Sequence, residues 1–325
     1  MHMADALLST PVGVGLWVVT VTTSSWAGRR LQHDSRSHLV PLMGVLGAFV
    51  FAAQMLNFAI PGTGSSGHLG GGLLLASLLG GPAAFLVMAS VLLVQALLFA
   101  DGGLLAWGAN VFNLGVWPCL VLYPLVLRPL LARRWRNPAR RQWTTLQSVA
   151  VMLTALVALQ LGAVGVVLET TFSDVSSLPT RGFLGLMLPI HLAIGLVEGL
   201  ATAAVLAFLA RVRPDLLEWC DTGIDADHQG YSPRRAIVVW AVVATLLAVV
   251  ATWLASPLPD GLEWSIARLN GPVRHGVQAT LDAENSWASV MGGLVTLVLI
   301  VGLARLFRRR NATRRQQRPF PADQA

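Results

Sequence analysis

The first two residues, Met1 and His2, offer three nitrogen atoms that could bind one metal ion. A free α-amine, the amide nitrogen of residue 2 and the imidazole of His2 would close two fused chelate rings, with three nitrogens nearly in one plane. A fourth nitrogen completes a square, which favours Ni(II) or Cu(II) and accommodates Co(II) less well. We expect Met1 to be retained, because His2 is bulky and no small-residue cleavage site follows the first apolar segment.

A second histidine, His68, ends a loop of small residues, NFAIPGTGSSGHLGGG at 57–72. The backbone of such a loop would be unpaired in lipid, so the loop must pack inside protein or line a wet cavity. The apolar segment that follows is short, which should lower His68 below the membrane surface. A glycine hinge with an incidental histidine is the alternative, but ionisable residues within membranes are rare and usually functional. His68 is therefore the predicted fourth nitrogen donor beside His2.

Amide and acidic side chains interrupt the apolar segments and should face the interior of a helix bundle. Interhelical hydrogen bonding is the favoured interpretation for most of them, and orientation of a metal-binding imidazole is the alternative. The set comprises Gln54, Asn57, Gln95, Asp101, Asn110 and Asn113. Gln54 and Asn57 are three residues apart and are predicted to share a helix face.

His191 and Glu198 lie seven residues apart, on one face of a predicted helix. Such a pair could relay a metal ion or a proton, or form a buried structural contact. The sequence favours neither interpretation.

The composition is that of a polytopic membrane protein, with 54% hydrophobic and 12% charged residues and a mean hydropathy of +0.63. A bilayer core of about 30 Å needs roughly 20 apolar residues per helix. The predicted helices lie near 11–28, 39–59, 69–80, 82–100, 103–131, 145–168, 182–210, 236–256 and 288–307. A shorter interfacial helix is predicted from Leu262 to Leu269, with Trp264 at headgroup level.

Every basic residue is arginine, and most arginines cluster in short loops between apolar segments. That pattern is typical of cytoplasmic loops and not of a nucleic-acid-binding face. The clusters fall on one side if all nine segments cross, the short third one included. The Arg-poor loops 60–68, 169–181 and 257–287 then lie outside, with the N-terminus.

The motifs of several enzyme classes are absent from the sequence. It has no GxxxxGK[ST] for ATP hydrolysis, no HExxH and no GxSxG. The chain therefore cannot drive transport with its own ATP hydrolysis, and we expect no enzyme.

Four stretches resemble the cobalt/nickel substrate-capture permeases of energy-coupling factor transporters, the CbiM/NikM type. They are MHMADALLS, QMLNFAIPGTGSSGHLGGGLLLASLLGGPAAFLVM, QALLFADGGLLAWGANVFNLG and HLAIGLVEGLATAAVLAFLARVRPDLL. A further stretch, PLPDGLEWSIARL, resembles the PDGLE domain, related to the small CbiN/NikN subunit. The resemblance implies an all-α membrane protein with a seven-helix S-component bundle at 1–217 and a cytoplasmic linker at 218–235. A two-helix transmembrane hairpin at 236–310 and a basic disordered tail at 311–325 would follow.

In that family the N-terminal amine, the amide and imidazole of the second residue, and the loop histidine hold the metal. Carried over, the ligands are Met1, His2 and His68. The resemblance implies Ni2+ or Co2+ as transported substrate, no other tightly bound cofactor, and a place in a bacterial inner membrane. The implied partners are a transmembrane coupling (T) subunit and two ATP-binding cassette ATPases. The chain departs from the family's Pro-Asp-Gly turn with MADA at 3–6, which predicts a less constrained N-terminal segment.

Two other functions fit the same sequence features. A membrane S-component for an organic micronutrient would use the glycine loop to line a larger pocket. A structural or assembly subunit would not need His68 at all. The sequence does not choose between nickel and cobalt, since both ions accept the same nitrogen donors.

Overall fold

The computed structural model describes residues 2–34, 36, 39–135, 137, 142–220, 242 and 256–270, and these form a helical bundle. Four helices are long and apolar enough to cross a membrane, and a fifth, at 39–54, is apolar but shorter. The predicted helical membrane class is therefore confirmed. The helices are α1 Thr10–Gln32, α2 Leu39–Gln54, α3 Gly72–Leu79, α4 Gly81–Leu98, α5 Trp107–Trp135, α6 Thr145–Ser173, α7 Thr180–Val212 and α8 Gly261–Asn270.

The connection between α2 and α3 contains the strands β1, Phe58–Ile60, and β2, Ser65–Gly67, which pair antiparallel. The predicted helix at 39–59 is too long, because α2 ends at Gln54 and the chain then turns into β1. The prediction that Asn57 shares a helix face with Gln54 is therefore wrong, because Asn57 lies beyond the end of α2. With 8 residues, α3 is about 12 Å long, so it can span a bilayer only together with the loop before it. The loop before α3 consequently reaches into the bundle.

Much of α5, from Phe112 to Leu127, is a π-helix that contains Pro118 and Pro124. Proline lacks an N–H and disturbs the regular i→i−4 bonding of an α-helix, and wider turns are one way to accommodate it. Gly72, the first residue of α3, lies against this stretch. A Cβ there would come 2.6 Å from Cγ of Pro118 and 2.8 Å from the carbonyl oxygen of Leu114. Close contact with α5 thus fixes where α3 begins.

The strands β1 and β2 form a hairpin at one end of the bundle. At the opposite end, the chain after α7 folds back onto the helix ends. Glu218 accepts from Arg128 Nε at 2.9 Å and from the Tyr123 hydroxyl, and its N–H donates to the Ser77 carbonyl. Arg36 donates to the carbonyl of Leu79 at 3.0 Å. These contacts hold Arg36 and Arg128 at one end of the bundle, opposite the β1–β2 hairpin.

The predicted helices at 236–256 and 288–307 lie outside the described residues, apart from Val242 and Ser256. The segment 256–270 is described, and its helix α8 agrees with the short helix predicted there. α8 packs against α7, and Gly182 of α7 lies beside Leu269. The segment returns to the same end of the bundle as the hairpin.

Candidate metal centre

The N-terminal segment is fixed in a groove beside the loop between α4 and α5. The Asn110 side chain accepts from the Met3 N–H at 2.7 Å and donates to the Met3 carbonyl at 3.1 Å, as a neighbouring strand would. The N–H of Gly103 donates to the same carbonyl at 2.9 Å, and Met3 is fully buried. The expectation of a loosely constrained segment is therefore wrong, because Asn110 and Gly103 hold Met3 and the following residues Asp5–Leu7 form a short 3-10 turn.

Asp5 provides a second anchor, which the sequence did not reveal. Its Oδ1 accepts from the N–H of Ala106, just before α5 begins, where a carboxylate suits a helix N-terminus. Gly103 makes room for Asp5, since a Cβ on Gly103 would lie 1.7 Å from that oxygen and 2.4 Å from the Asp5 nitrogen. Gly102 has φ of +84°, which glycine adopts without strain.

These anchors place His2 between Asp101 and His68. Nδ1 of His2 lies 2.9 Å from Oδ1 of Asp101, and the rings of His2 and His68 stack with centroids 4.8 Å apart. The His2 side chain is only 4% exposed. Its Nε2 is buried and has no hydrogen-bond partner among the described residues. The structure thus brings together two imidazoles that are 66 positions apart in the sequence.

The surroundings of His68 and of Asp101 shift the pKa of each side chain. Burial is the main reason why the pKa of His68 falls to about 3, so its imidazole is neutral and can act as a ligand. Burial alone would raise the pKa of Asp101, but the contact with His2 outweighs it and lowers that pKa. An ionised carboxylate accepts hydrogen bonds only, so Nδ1 of His2 donates to Asp101.

Among the described side chains, no group of three His, Cys, Asp or Glu residues is arranged to hold a metal ion. The predicted chelate differs from such a cluster, because two of its four nitrogens belong to the main chain at positions 1 and 2. Met1 itself lies outside the described residues.

The backbone next to His68 is held from two sides. Nε2 of Gln54 donates to the Gly70 carbonyl at 2.8 Å, and Gln95 donates to Gln54 at 2.8 Å. The Glu198 carboxylate accepts from the N–H groups of Gly70 and Gly71 at 2.9 and 3.0 Å. His68 is 7% exposed at the start of this clamped stretch. Gln54, Gln95 and Glu198 therefore position the His68 loop.

We expect Gln54→Ala to destabilise the protein by roughly 1–3 kcal/mol, because it leaves two buried polar groups without a partner. Those groups are the Gly70 carbonyl and the amide nitrogen of Gln95. Thermal unfolding in detergent measures the loss. Gln142→Ala, at an exposed position before α6, is the matched control and should leave the midpoint unchanged. Equal midpoints for both variants would contradict the positioning role of Gln54.

The remaining predicted residues have hydrogen-bond partners other than His2. Asn57 contacts the segment after 255 through its carbonyl, which accepts from the Ser256 N–H at 2.7 Å. Asn113 donates to Glu169 at 2.8 Å, while its Oδ1 is buried without a partner in the described chain. His191 donates from Nδ1 to the Met187 carbonyl, so its hydrogen bond goes to the backbone and not to Glu198.

The segment 256–264 packs on the β1–β2 hairpin that precedes His68. The N–H of Ser66 donates to the Pro259 carbonyl at 2.8 Å, and Ser66 Oγ donates to Leu258 at 2.7 Å. Trp264 donates to the Thr63 carbonyl at 3.0 Å, so it packs on the hairpin loop. Asp260 lines a cavity with His68, a role that sequence reasoning missed. The sequence PDG at 259–261 is typical of a turn, but nothing local indicated which loop this turn would meet.

Known proteins with similar sequences are metal transporters. The family model for CbiM, the cobalt uptake substrate-specific transmembrane region, matches residues 2–216, and the PDGLE domain matches 234–285. A protein of Archaeoglobus fulgidus with the provisional name fused nickel transport protein NikMN is 33% identical over 93% of this chain and 96% of its own length. The cobalt transport protein CbiM of Geobacter sulfurreducens is 32% identical over 81% and 74% of the two chains.

A crystal structure of a transition metal transporter superposes with a TM-score of 0.54 at 27% identity, covering 65% of this chain and 93% of that one. The apolar helical spans and the family match define a multi-pass membrane protein of the cobalt and nickel transport class. The chain belongs to the CbiM family.

Proposed function

We propose that the chain is the substrate-capture S-component of an energy-coupling factor transporter for Ni2+ or Co2+. The ion is bound by the N-terminal amine, the amide and imidazole of His2, and the imidazole of His68. The observation that carries this proposal is the stack of His2 on His68, with the segment behind His2 fixed by Asn110 and Asp5. A terminus fixed in this way reduces the entropy that a flexible chelate would lose on binding.

Loading requires a local rearrangement of His2. The fused chelate ring uses Nδ1, the nitrogen that donates to Asp101 in the structure. The imidazole must turn towards the ion and give up that hydrogen bond, and the His2 amide must lose its proton. Asp101 then remains beside the site as a carboxylate, where its charge favours a divalent cation. Before loading, Asp101 fixes the orientation of the ring.

We place the metal site on the outer side of a bacterial inner membrane, at the end of the bundle with the Arg-poor loops. Residues 1–217 form the permease, 218–235 a cytoplasmic linker, 236–310 an accessory hairpin and 311–325 a basic tail. A transmembrane coupling subunit and two ATPase subunits supply the energy, and ATP hydrolysis by these partners drives release of the ion inside.

Uptake by the assembled transporter tests this function. Cells that express the chain with its coupling and ATPase partners should accumulate Ni2+ or Co2+, and His68→Ala should reduce uptake to background. His33→Ala is the matched control, since His33 is exposed at the opposite end of α1 and its loss should change nothing. Full uptake by His68→Ala would contradict the proposal and favour a structural or assembly role.

A further inference from the structure

The turn from Pro259 to Glu263 places a carboxylate beside His68. The Pro259 carbonyl accepts from the Ser66 N–H at 2.8 Å, which joins the turn to β2. Asp260 caps α8, since its Oδ1 accepts from the Glu263 N–H at 2.8 Å. The turn is thus held on both sides of Asp260, whose side chain lines the same cavity as His68.

Gly261 allows this turn to lie directly on α7. A Cβ on Gly261 would come 2.4 Å from Cγ2 of Ile190 and 3.3 Å from Cε1 of His191. A larger residue would move the turn, and Asp260 with it, away from α7. The position of the Asp260 carboxylate is therefore set by close packing as well as by its own hydrogen bond.

The N-terminal amine pairs with the Asp260 carboxylate. Consecutive Cα atoms are about 3.8 Å apart, so the amine must lie within about 5 Å of the Cα of His2. The His2 ring stacks on His68, which shares the cavity with Asp260. Partial burial would raise the pKa of Asp260, but the charge of the N-terminal amine and its hydrogen bond to the carboxylate outweigh burial and lower that pKa. The amine that the proposed chelate requires thus has an ion-pair partner from a distant part of the sequence.

We propose that Asp260 is a positioning residue of the metal site, an inference that rests on the proposed function. It holds the free amine next to His68, so that less conformational freedom is lost when the ion binds. The positive charge that faces Asp260 is kept on loading. The amine gives up its proton, and a divalent ion bound to the deprotonated His2 amide brings one net positive charge in its place. The segment matched by the PDGLE domain therefore contributes to metal binding, although none of the proposed ligands belongs to it.

Nickel titration of the purified full-length protein tests this role with Asp260→Asn. Asparagine caps a helix about as well as aspartate does, so the substitution removes the charge and keeps α8. We expect the Ni2+ affinity to fall about 10–100-fold, the usual effect of losing an outer partner of a metal ligand. The visible spectrum of the saturated Ni2+ complex should be unchanged, because no ligand is removed. Asp174→Asn, at an exposed aspartate after α6, is the matched control and should bind Ni2+ like the wild-type protein.

The reactivity of the α-amine gives a second readout. The sequence contains no lysine, so an acylating reagent finds a single aliphatic amine in the chain. A nearby carboxylate favours the protonated form of an amine, which is not nucleophilic. The metal-free Asp260→Asn variant should therefore be acylated several-fold faster than the wild-type protein, and so should Asp260→Ser. Because both variants keep a capping side chain, a role limited to α8 would leave this rate unchanged.

The possible outcomes overturn different statements. Wild-type Ni2+ affinity or a wild-type acylation rate in the folded variants would overturn the role of Asp260 and leave the chelate intact. A changed Ni2+ spectrum would make Asp260 a ligand and would overturn its positioning role as well. Absence of tight Ni2+ and Co2+ binding by the wild-type protein would instead overturn the proposed function. Thermal unfolding in detergent shows whether each variant is folded.

Discussion

An N-terminal extension should abolish metal retention by the purified protein, although it changes no side chain of the site. The proposed chelate takes two of its four nitrogens from the main chain at positions 1 and 2. A flexible extension of four residues converts the amine into an amide. The additional residues must also be accommodated next to Met3, which is already fully buried. The loss in affinity should exceed the roughly 10–100-fold that follows from removing an outer partner of a metal ligand.

The control for this experiment is the same protein after the extension is removed. A protease site directly before Met1 regenerates the native amine, and Ni2+ retention after gel filtration should return to the wild-type value. The extension should be longer than one residue. A single insertion would place histidine third, and the amine, two amides and imidazole would then form a four-nitrogen chelate without His68. Equal retention before and after cleavage would contradict a terminal ligand.

The burial of polar side chains could be predicted from the sequence more reliably than their hydrogen-bond partners. A short apolar segment after a glycine loop was enough to expect a recessed His68, because segment length limits depth in a bilayer. The partners of Gln54 and Glu198 could not be inferred, since both hold backbone atoms of Gly70, and Glu198 does so across 128 positions. Helical periodicity reports the buried face of a helix and contains no information on which loop meets it.

The N-terminal segment was mispredicted for a related reason. Met3, Ala4 and Ala6 have no turn signal of their own, so the segment looked poorly constrained in the sequence. Residues Asp5–Leu7 form a short 3-10 turn, and the position of the segment is set by Asn110 and by the N–H groups of Gly103 and Ala106 in another part of the chain. The contact between the 256–264 segment and the hairpin escaped prediction in the same way, because it joins residues about 190 positions apart.

Gly103→Ala should greatly weaken metal binding without altering any proposed ligand. The added Cβ would lie 1.7 Å from Oδ1 of Asp5 and 2.4 Å from its main-chain nitrogen, and a main-chain atom cannot rotate aside as a side chain can. The segment that carries His2 must therefore shift. We expect at least the roughly 10–100-fold loss of affinity seen when a ligand is badly oriented, and overpacking that costs about 1–3 kcal/mol.

Gly15→Ala in α1 is the matched control for this substitution, because nothing lies within 4 Å of a Cβ built there. It should bind Ni2+ like the wild-type protein and should be slightly more stable, since alanine favours a helix over glycine by about 1 kcal/mol. Metal titration and thermal unfolding of both variants distinguish a misplaced terminus from a general loss of folding. If folded Gly103→Ala bound Ni2+ as tightly as Gly15→Ala, the precise position of the N-terminal segment would be irrelevant to binding. His68 and the terminus would then have to reach the ion as flexible ligands, which the hydrogen bonds around Met3 and Asp5 argue against.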